Sequence, residues 1–560
     1  MSNAVHLHPD AVRILPLGGL GEIGLNLMMV ECRGEIVLID CGLMFPEAYM
    51  LGIDLVIPDI SSLAGRTGSI RALLLTHGHE DHIGAIPFLL RELGNPPIYG
   101  TALTLGLLRA KLDEHGLAGK ARLETVKPRQ LIELGPFEVE FFRVAHSIVD
   151  GCGLAIRTPA GLVVHTGDFK LDPTPVDGQT TDLGRLAAYG EEGVLLLMAD
   201  STNVERPGQT LSERTVGEAL DDIVPRSSGM VFVATFSSNI HRIQQICDAA
   251  QHAGRQVLVN GRSMVGNIAI ARQLGYLHIP DDLFIDLRQL RELPRERVLV
   301  LTTGSQGEPL SSLTRIAMAD HKQLELLPGD TVILSAKFIP GNERAITDLI
   351  NHLCRRGAEV HYETTSEIHV SGHASQDELK TVHSLVKPRY FVPVHGEYRH
   401  LARHARLARA MGMPAERVLV IENGQPLVLS ANGHRLEERV DTGRVFVDGK
   451  GVGDVGEMEL RDRRHLANHG LVLVFMALNQ TTGEIVTGPE IVTRGFVLEA
   501  EGQSLMDEAL ALVRATLADH SREAVAGWEE LRVEVRKTLH RFFNRTMDRR
   551  PLILPFIMEL

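Results

Sequence analysis

The chain has 560 residues, and at roughly 150 residues per domain that length excludes a single hydrophobic core. Hydrophobic residues at 44%, charged residues at 23% and aromatics at 4% exclude a collagen-like, wholly disordered or small disulfide-scaffold chain. Lys plus Arg 57 against Asp plus Glu 71 leaves a net −14, so no overall positive field marks a polyanion binder, and the 25 histidines are the one excess.

Residues 1–8 lack the charged start and apolar core of a signal peptide. The first 200 residues then read as short apolar strands ended by Gly, Asp or His, at 35–40, 72–76, 138–145, 161–165 and 194–200, with a helix over 83–93. Many strands with few long helices predict a layered sandwich. From about residue 213 the pattern changes: strands at 231–235, 256–260, 298–303 and 331–335 alternate with amphipathic stretches at 240–252, 263–274 and 343–355. That spacing predicts parallel βαβ units. The earlier style returns in a helix at 376–386, a strand at 390–394 and a helix at 398–410. The expected organisation is therefore a first domain over 1–208, an insertion over 209–364, a return segment over 365–440, a Gly-rich linker over 441–460 and a small α+β domain over 461–560. In the last, a hairpin joins 471–478 to 484–487 through 479–483, followed by two helices and a strand at 552–557.

The longest apolar run, 470–478, is far short of the roughly 18 residues of a membrane span. Cys32, Cys41, Cys152, Cys247 and Cys354 are scattered and never paired as CxxC, which fits a reducing compartment. A cytoplasmic protein without membrane partners is expected.

The chemistry concentrates in Thr76-His77-Gly78-His79-Glu80-Asp81-His82, between a strand and a helix start. Three imidazoles and a carboxylate within six residues suit Zn²⁺, Mn²⁺ or Fe²⁺ rather than an oxygen-only Ca²⁺ cage. His146, Asp168 and His395 end other strands. A pair of ions needs about seven protein ligands with a bridging carboxylate. The expected set is His77, His79 and His146 on one ion, Asp81, His82 and His395 on the other, and Asp168 between, with Asp40 orienting a ligand imidazole from behind. Gly19-Leu20-Gly21-Glu22-Ile23-Gly24 satisfies a dinucleotide fingerprint, but residues 25–31 read as a strand where that motif needs a helix.

HxHxDH followed by a later His, Asp and His resembles the metallo-β-lactamase fold, and an inserted α/β domain ahead of Ser371-Gly372-His373 and His395 resembles its β-CASP branch. Gly18 to Asn26, Asp200-Ser201-Thr202-Asn203, Thr235 to Arg242, Thr303 to Pro309 and His369 to Ala374 are similar to segments of the bacterial ribonuclease J family, across essentially the whole chain. The resemblance implies a metallo-β-lactamase αββα sandwich with an inserted parallel α/β β-CASP domain and a small α+β C-terminal domain. It further implies two divalent ions per subunit, Zn²⁺ first with Mn²⁺ as the alternative. The implied activity is hydrolysis of single-stranded RNA, 5′→3′ exonuclease with endonuclease, preferring 5′-monophosphate ends, in RNA maturation, rRNA processing and mRNA decay. Homodimers or homotetramers and an RNA-degradation complex belong to the same expectation.

In that frame Asp81 and His373 are the candidate catalytic residues, His373 facing the scissile phosphate. Ser237, Ser238, Asn239 and His241, at a helix start that favours phosphate, join His369, Ser371, Gly372 and His373 as candidate substrate-binding residues. Arg532, Arg536, Lys537, Arg541, Arg545, Arg549 and Arg550 are expected on the last helix, as a candidate RNA contact or a solvated or subunit-contacting face. With so few aromatics, RNA binding would rely on phosphate contacts more than stacking. The alternatives are a DNA-directed β-CASP nuclease, another hydrolase on the metallo-β-lactamase scaffold, and a silent RNA-binding subunit.

Overall fold

A computed structural model describes residues 10–117, 119–308, 310–338, 342–479, 485–496, 499–520 and 528–559. The chain forms two compact units, one comprising residues 1–45 and 55–445, the other 46–54 and 446–560.

The larger unit contains two sheets packed face to face. One has eight strands in the order Gly433–Leu436, Leu427–Ser430, Val12–Gly18, Leu27–Cys32, Glu35–Ile39, Ile70–Leu74, Pro97–Gly100 and Arg122–Thr125. The other has six, in the order Tyr390–Val394, Val194–Asp200, Gly161–His165, Cys152–Thr158, Phe137–Arg143 and Leu131–Leu134. Alternate residues decide which layer each strand feeds. Phe141, Leu196 and Met198 point between the sheets, onto Val30, Val37, Ile39 and Leu74. Their neighbours Phe142, Leu197 and Ala199 point outward, onto helices Leu183–Glu192, Gln376–Val386 and Tyr398–Ala410. These strands are apolar on both faces because both are covered.

A third sheet in this unit is wholly parallel, in the order Phe284–Ile285, Gln256–Asn260, Val298–Thr302, Val231–Ala234, Thr331–Leu334 and Glu359–His361. Its crossovers run through helices Ile240–His252, Arg262–Gln273, Ser312–Ala317 and Glu343–Arg355. The short strands at its two edges and the helix Ser312–Ala317 have too few residues to show a hydrophobic period.

Two expectations change. The helix expected over 83–93 is two single-turn segments, Glu80–Ile83 and Ile86–Leu89, parted at Gly84 and Ala85. The stretch read as linker carries strands Arg444–Asp448 and Gly451–Val452, which pair antiparallel through a turn at Gly449–Lys450. In the smaller unit, Ile485–Arg494, Leu471–Leu478 and Leu552–Glu559 form a sheet covered by helices Glu499–His520 and Trp528–Met547. The expected hairpin turn at 480–483, like residues 1–8, lies outside the described residues.

No described helix is long and apolar enough to cross a membrane. The strand Leu27–Cys32 directly follows the Gly-rich motif, so the helix a dinucleotide site requires is missing there.

Candidate metal centre

Three parallel strands bring chemistry to one sheet edge. Gly161–His165, Val194–Asp200 and Tyr390–Val394 run side by side in parallel register, so Asp168, Asp200 and His395 all emerge at their carboxyl ends. Phe137–Arg143 lies two antiparallel pairings from Gly161–His165 and points the same way, which brings His146 there too. From the facing sheet, Ile70–Leu74 delivers the turn from His77 to His82.

That turn is held by backbone bonds from the segment after Glu35–Ile39 and from the residue before Leu27–Cys32. Cys41 N–H donates to His82 O at 2.7 Å, Leu43 N–H to Glu80 O at 3.0 Å and Asn26 N–H to Asp81 O at 3.2 Å. Gly42 permits this approach, since a Cβ there would lie 1.5 Å from the Asp81 carbonyl oxygen. Asp40 and His395 both adopt left-handed backbone, at φ 59° and 55°, a strain of about 1–3 kcal/mol each that the surrounding bonds sustain.

Among the described residues the donor atoms form three groups, each within 4.8 Å: His77, His79 and His146; Asp81, His82, Asp168 and His395; and, sharing two members with the second, Asp168, Asp200, His373 and His395. In the first, His77 Nε2 lies 3.0 Å and His146 Nε2 3.2 Å from His79 Nδ1. These spacings are near the roughly 3.3 Å that separates donors in a tetrahedral shell with bonds of about 2.0–2.1 Å. Asp168 Oδ2 stands between the first two groups, 3.8 Å from His77 Nε2, 3.7 Å from His146 Nε2, 3.3 Å from His82 Nε2 and 3.6 Å from His395 Nε2. The geometry and the mixed nitrogen and carboxylate donors fit divalent cations.

Electrostatics support the fit. Burial pushes His77 and His146 well below the ordinary imidazole value and His79 down to about 4, leaving their lone pairs free. Burial opposes ionisation of Asp168, but the imidazoles of His395 and His82 hold it well below the usual carboxylate range. Burial also works against protonation of His395, yet Asp168 together with Asp200 and Asp81 carries it up to about 10. A divalent cation there competes with protons for the same nitrogens.

Behind the donors, Asp40 Oδ2 accepts from His82 Nδ1 at 2.8 Å and from the Thr76 hydroxyl at 2.9 Å, while its Oδ1 accepts from Thr76 N–H at 2.8 Å. His146 Nδ1 donates to the Gly372 carbonyl at 2.7 Å. Each bond fixes the ring proton on Nδ1 and turns Nε2 toward the centre.

The candidate substrate residues separate. His373 joins the rim, its ring 4.9 Å from His146 and 5.4 Å from His395. The Ser371 hydroxyl accepts from His373 N–H at 3.1 Å. His241 borders the same cleft as His146, Lys170 and Asp177. His369 Nε2 is buried without a partner among the described residues, and burial with the nearby Arg242 and Lys337 charges keeps that ring neutral. Asn239 accepts from Arg242 N–H as the cap of its own helix, and Ser237 accepts from Asn267 at 3.2 Å. Ser238 forms a local turn through its carbonyl.

The sequence reading missed three supports. Asp200 Oδ2 accepts from His373 Nδ1 at 2.7 Å, and its Oδ1 lies 3.4 Å from His395 Nδ1. The Thr202 hydroxyl bonds His395 Nδ1 at 2.6 Å, and the Asn26 carboxamide donates to Asp81 O at 2.9 Å. Asp200 ends a strand just as His395 follows one, a signal present in the sequence; Thr202 and Asn26 carry no such signal.

Four family models match: the metallo-β-lactamase superfamily over residues 21–198, the ribonuclease J β-CASP domain over 228–353, the Zn-dependent metallo-hydrolase RNA specificity domain over 357–420 and the ribonuclease J C-terminal domain over 458–560. The chain is 46% identical to ribonuclease J of Thermus thermophilus, over 98% of this chain and 96% of that one. It is 42% identical to ribonuclease J2 of Bacillus subtilis, over 98% of this chain and 99% of the relative. A crystal structure of a protein of unknown function from Enterococcus faecalis V583 superposes with a TM-score of 0.53 at 17% identity, covering 75% of this chain and all of that one, a likeness of fold.

Proposed function

The chain belongs to the ribonuclease J family of metal-dependent ribonucleases, and from that premise we propose that it hydrolyses single-stranded RNA at a centre of two divalent ions, Zn²⁺ or alternatively Mn²⁺. His77, His79 and His146 would hold one ion, Asp81, His82 and His395 the other, and Asp168 both. The convergence of these seven donors, from chain segments more than 300 residues apart, carries the reading. When bound, the ions supply positive charge to the phosphate and make water acidic enough to attack at neutral pH.

The protein's own groups do the rest. Asp81 is held by the Asn26 carboxamide and by His395 Nε2 at 3.3 Å, a placement suited to orienting the attacking water as well as to binding metal. The Asp200 carboxylate accepts from His373 Nδ1–H, which leaves Nε2 to face outward; carrying a second proton there, the ring would donate from Nε2–H to the scissile phosphate and pass that proton to the departing 3′-oxygen. His369, Ser371, the Gly372 N–H and the Ser237, Ser238, Asn239 and His241 segment form the proposed receptor for a 5′-monophosphate. A pocket shaped for one phosphate disfavours a triphosphate end, which makes 5′→3′ exonuclease action selective for monophosphorylated RNA, with endonuclease action on unpaired internal sites.

The domain boundaries at residues 208, 364, 440 and 460, a cytoplasmic location, a dimeric or tetrameric state and a place in an RNA-degradation complex belong to the same proposal. RNA and DNA labelled at the 5′ end, incubated with and without chelator, test it. Mononucleotides and internal fragments from RNA alone, abolished by chelator, are expected; equal cleavage of DNA, or chelator-resistant cleavage, overturns it.

A further inference from the structure

The helix Trp528–Met547 has two faces. Leu531, Val535, Leu539 and Phe543, four residues apart, are buried against the sheet and the helix Glu499–His520. Arg536, Lys537, Arg541 and Arg545 are exposed on the other side, and no acidic residue occurs from position 535 to 547. In a chain of net charge −14, four exposed cations on a helical stretch without a carboxylate from 535 to 547 are a local reversal of sign, with Glu530 and Glu534 on the same side in the preceding turns.

The structure also divides the seven basic residues of this region. Arg532 pairs with Glu529, Arg549 donates to the Phe496 carbonyl and Arg550 to the Asn544 carboxamide at 3.1 Å. Those three serve the fold of the small unit. Arg536, Arg541 and Arg545 make no ion pair among the described residues, and Lys537 has only a distant one, 3.9 Å from Glu534. The side chains line about 14 Å of helix at 1.5 Å per residue. Exposed guanidinium groups without an ion pair suit phosphate oxygens, which they bind in paired hydrogen bonds. The face carries no exposed Phe, Tyr or Trp between positions 535 and 547, so backbone charge and not a stacking platform of such rings carries the binding.

We infer that Arg536, Lys537, Arg541 and Arg545 form a second RNA-binding site, apart from the metal centre, which grips the phosphate backbone of a long single-stranded RNA without regard to sequence. The inference rests on the ribonuclease reading for the identity of its ligand. Its physical consequence is a length preference: an RNA that reaches both sites is held by both, whereas a short oligoribonucleotide is held by the cleft alone.

The test measures dissociation constants of the full chain for a short and a long unstructured RNA, in chelator so that nothing is cleaved, across a range of salt. The comparison is with R536A/K537A/R541A/R545A and with the charge-preserving R536K/R541K/R545K. Four released counterions at about 0.7 each predict that the quadruple variant lowers the slope of log affinity against log salt by about 3 for the long RNA. Its affinity for that RNA falls at least tenfold near 0.1 M salt, the long-to-short preference falls with it, and the lysine variant retains most of both. An unchanged slope and preference overturn the inference, as does a quadruple variant that changes oligomeric state, which would make the face a subunit contact. Absence of metal-dependent cleavage by the parent chain would instead overturn the ribonuclease reading and leave the binding result standing.

Discussion

The carbonyl oxygen of Gly372 lies 2.7 Å from Nδ1 of His146, a bond between residues 226 apart in sequence. It orients a proposed metal ligand from the loop that also bears His373. A Cβ on Gly372 would meet His146 Cε1 and Ser147 Oγ, each at 2.8 Å. Gly372→Ala therefore displaces the imidazole. A fall in metal affinity of roughly 10–100-fold is expected, with an unchanged circular-dichroism spectrum; chelator competition measures the first.

The donors and the rim respond differently to truncation. His77→Ala removes a nitrogen that lies 3.0 Å from His79 Nδ1 and 3.8 Å from Asp168, so metal content drops and turnover is abolished. His373→Ala removes a ring bonded to Asp200 and outside the two proposed ligand groups. Its metal content stays at the parent level while kcat on RNA falls on the order of 10²–10⁴-fold. Elemental analysis beside single-turnover kinetics separates the two, and full activity with normal zinc in His77→Ala would reject the ligand assignment.

Asp40→Asn is nearly isosteric but reverses a hydrogen bond. The carboxylate accepts from His82 Nδ1 at 2.8 Å; an amide nitrogen in that place donates, which drives the ring proton to Nε2, the nitrogen that faces Asp168. Metal affinity is expected to fall roughly 10–100-fold. A large excess of metal restores much of the activity if the tautomer is the cause; a variant insensitive to added metal would point elsewhere.

Away from the centre, burial holds His383 at about 4, against 6.5 for a free imidazole. Its Nε2 lies 3.3 Å from that of His404, a second ring kept neutral by burial. The unfolded chain binds a proton that the folded chain refuses. Stability is thus complete above about pH 6.5 and falls as pH drops toward 4, by about 2 kcal/mol at pH 5 for His383. Chemical denaturation of the parent and of His383→Leu at neutral pH and near pH 5 compares the losses; the variant is expected to lose less.

Periodicity carried the fold a long way. Apolar runs and 3.6-residue patterns are local properties, so the strands of the sandwich, the βαβ run and the helices Gln376–Val386 and Tyr398–Ala410 were legible without neighbours. Where length fell below a period, the reading failed: the helix expected over 83–93 breaks into two turns, and the Gly-rich stretch after residue 441 hides two short strands. The HGHEDH turn was legible for the same reason, since its donors sit within six residues. Asp200, Thr202 and Asn26 differ from it in kind. Each acts on a partner from a distant segment, Asp200 on His373 and Thr202 on His395 across more than 170 residues, and a single sequence records no such distance. The division of the last helix's basic residues is of that second sort as well. Composition shows seven cations, but which are spent on Glu529, Phe496 and Asn544 and which face solvent is settled only when the helix docks its apolar side. Residue type states what a side chain is able to do; packing selects the partner with which it does it.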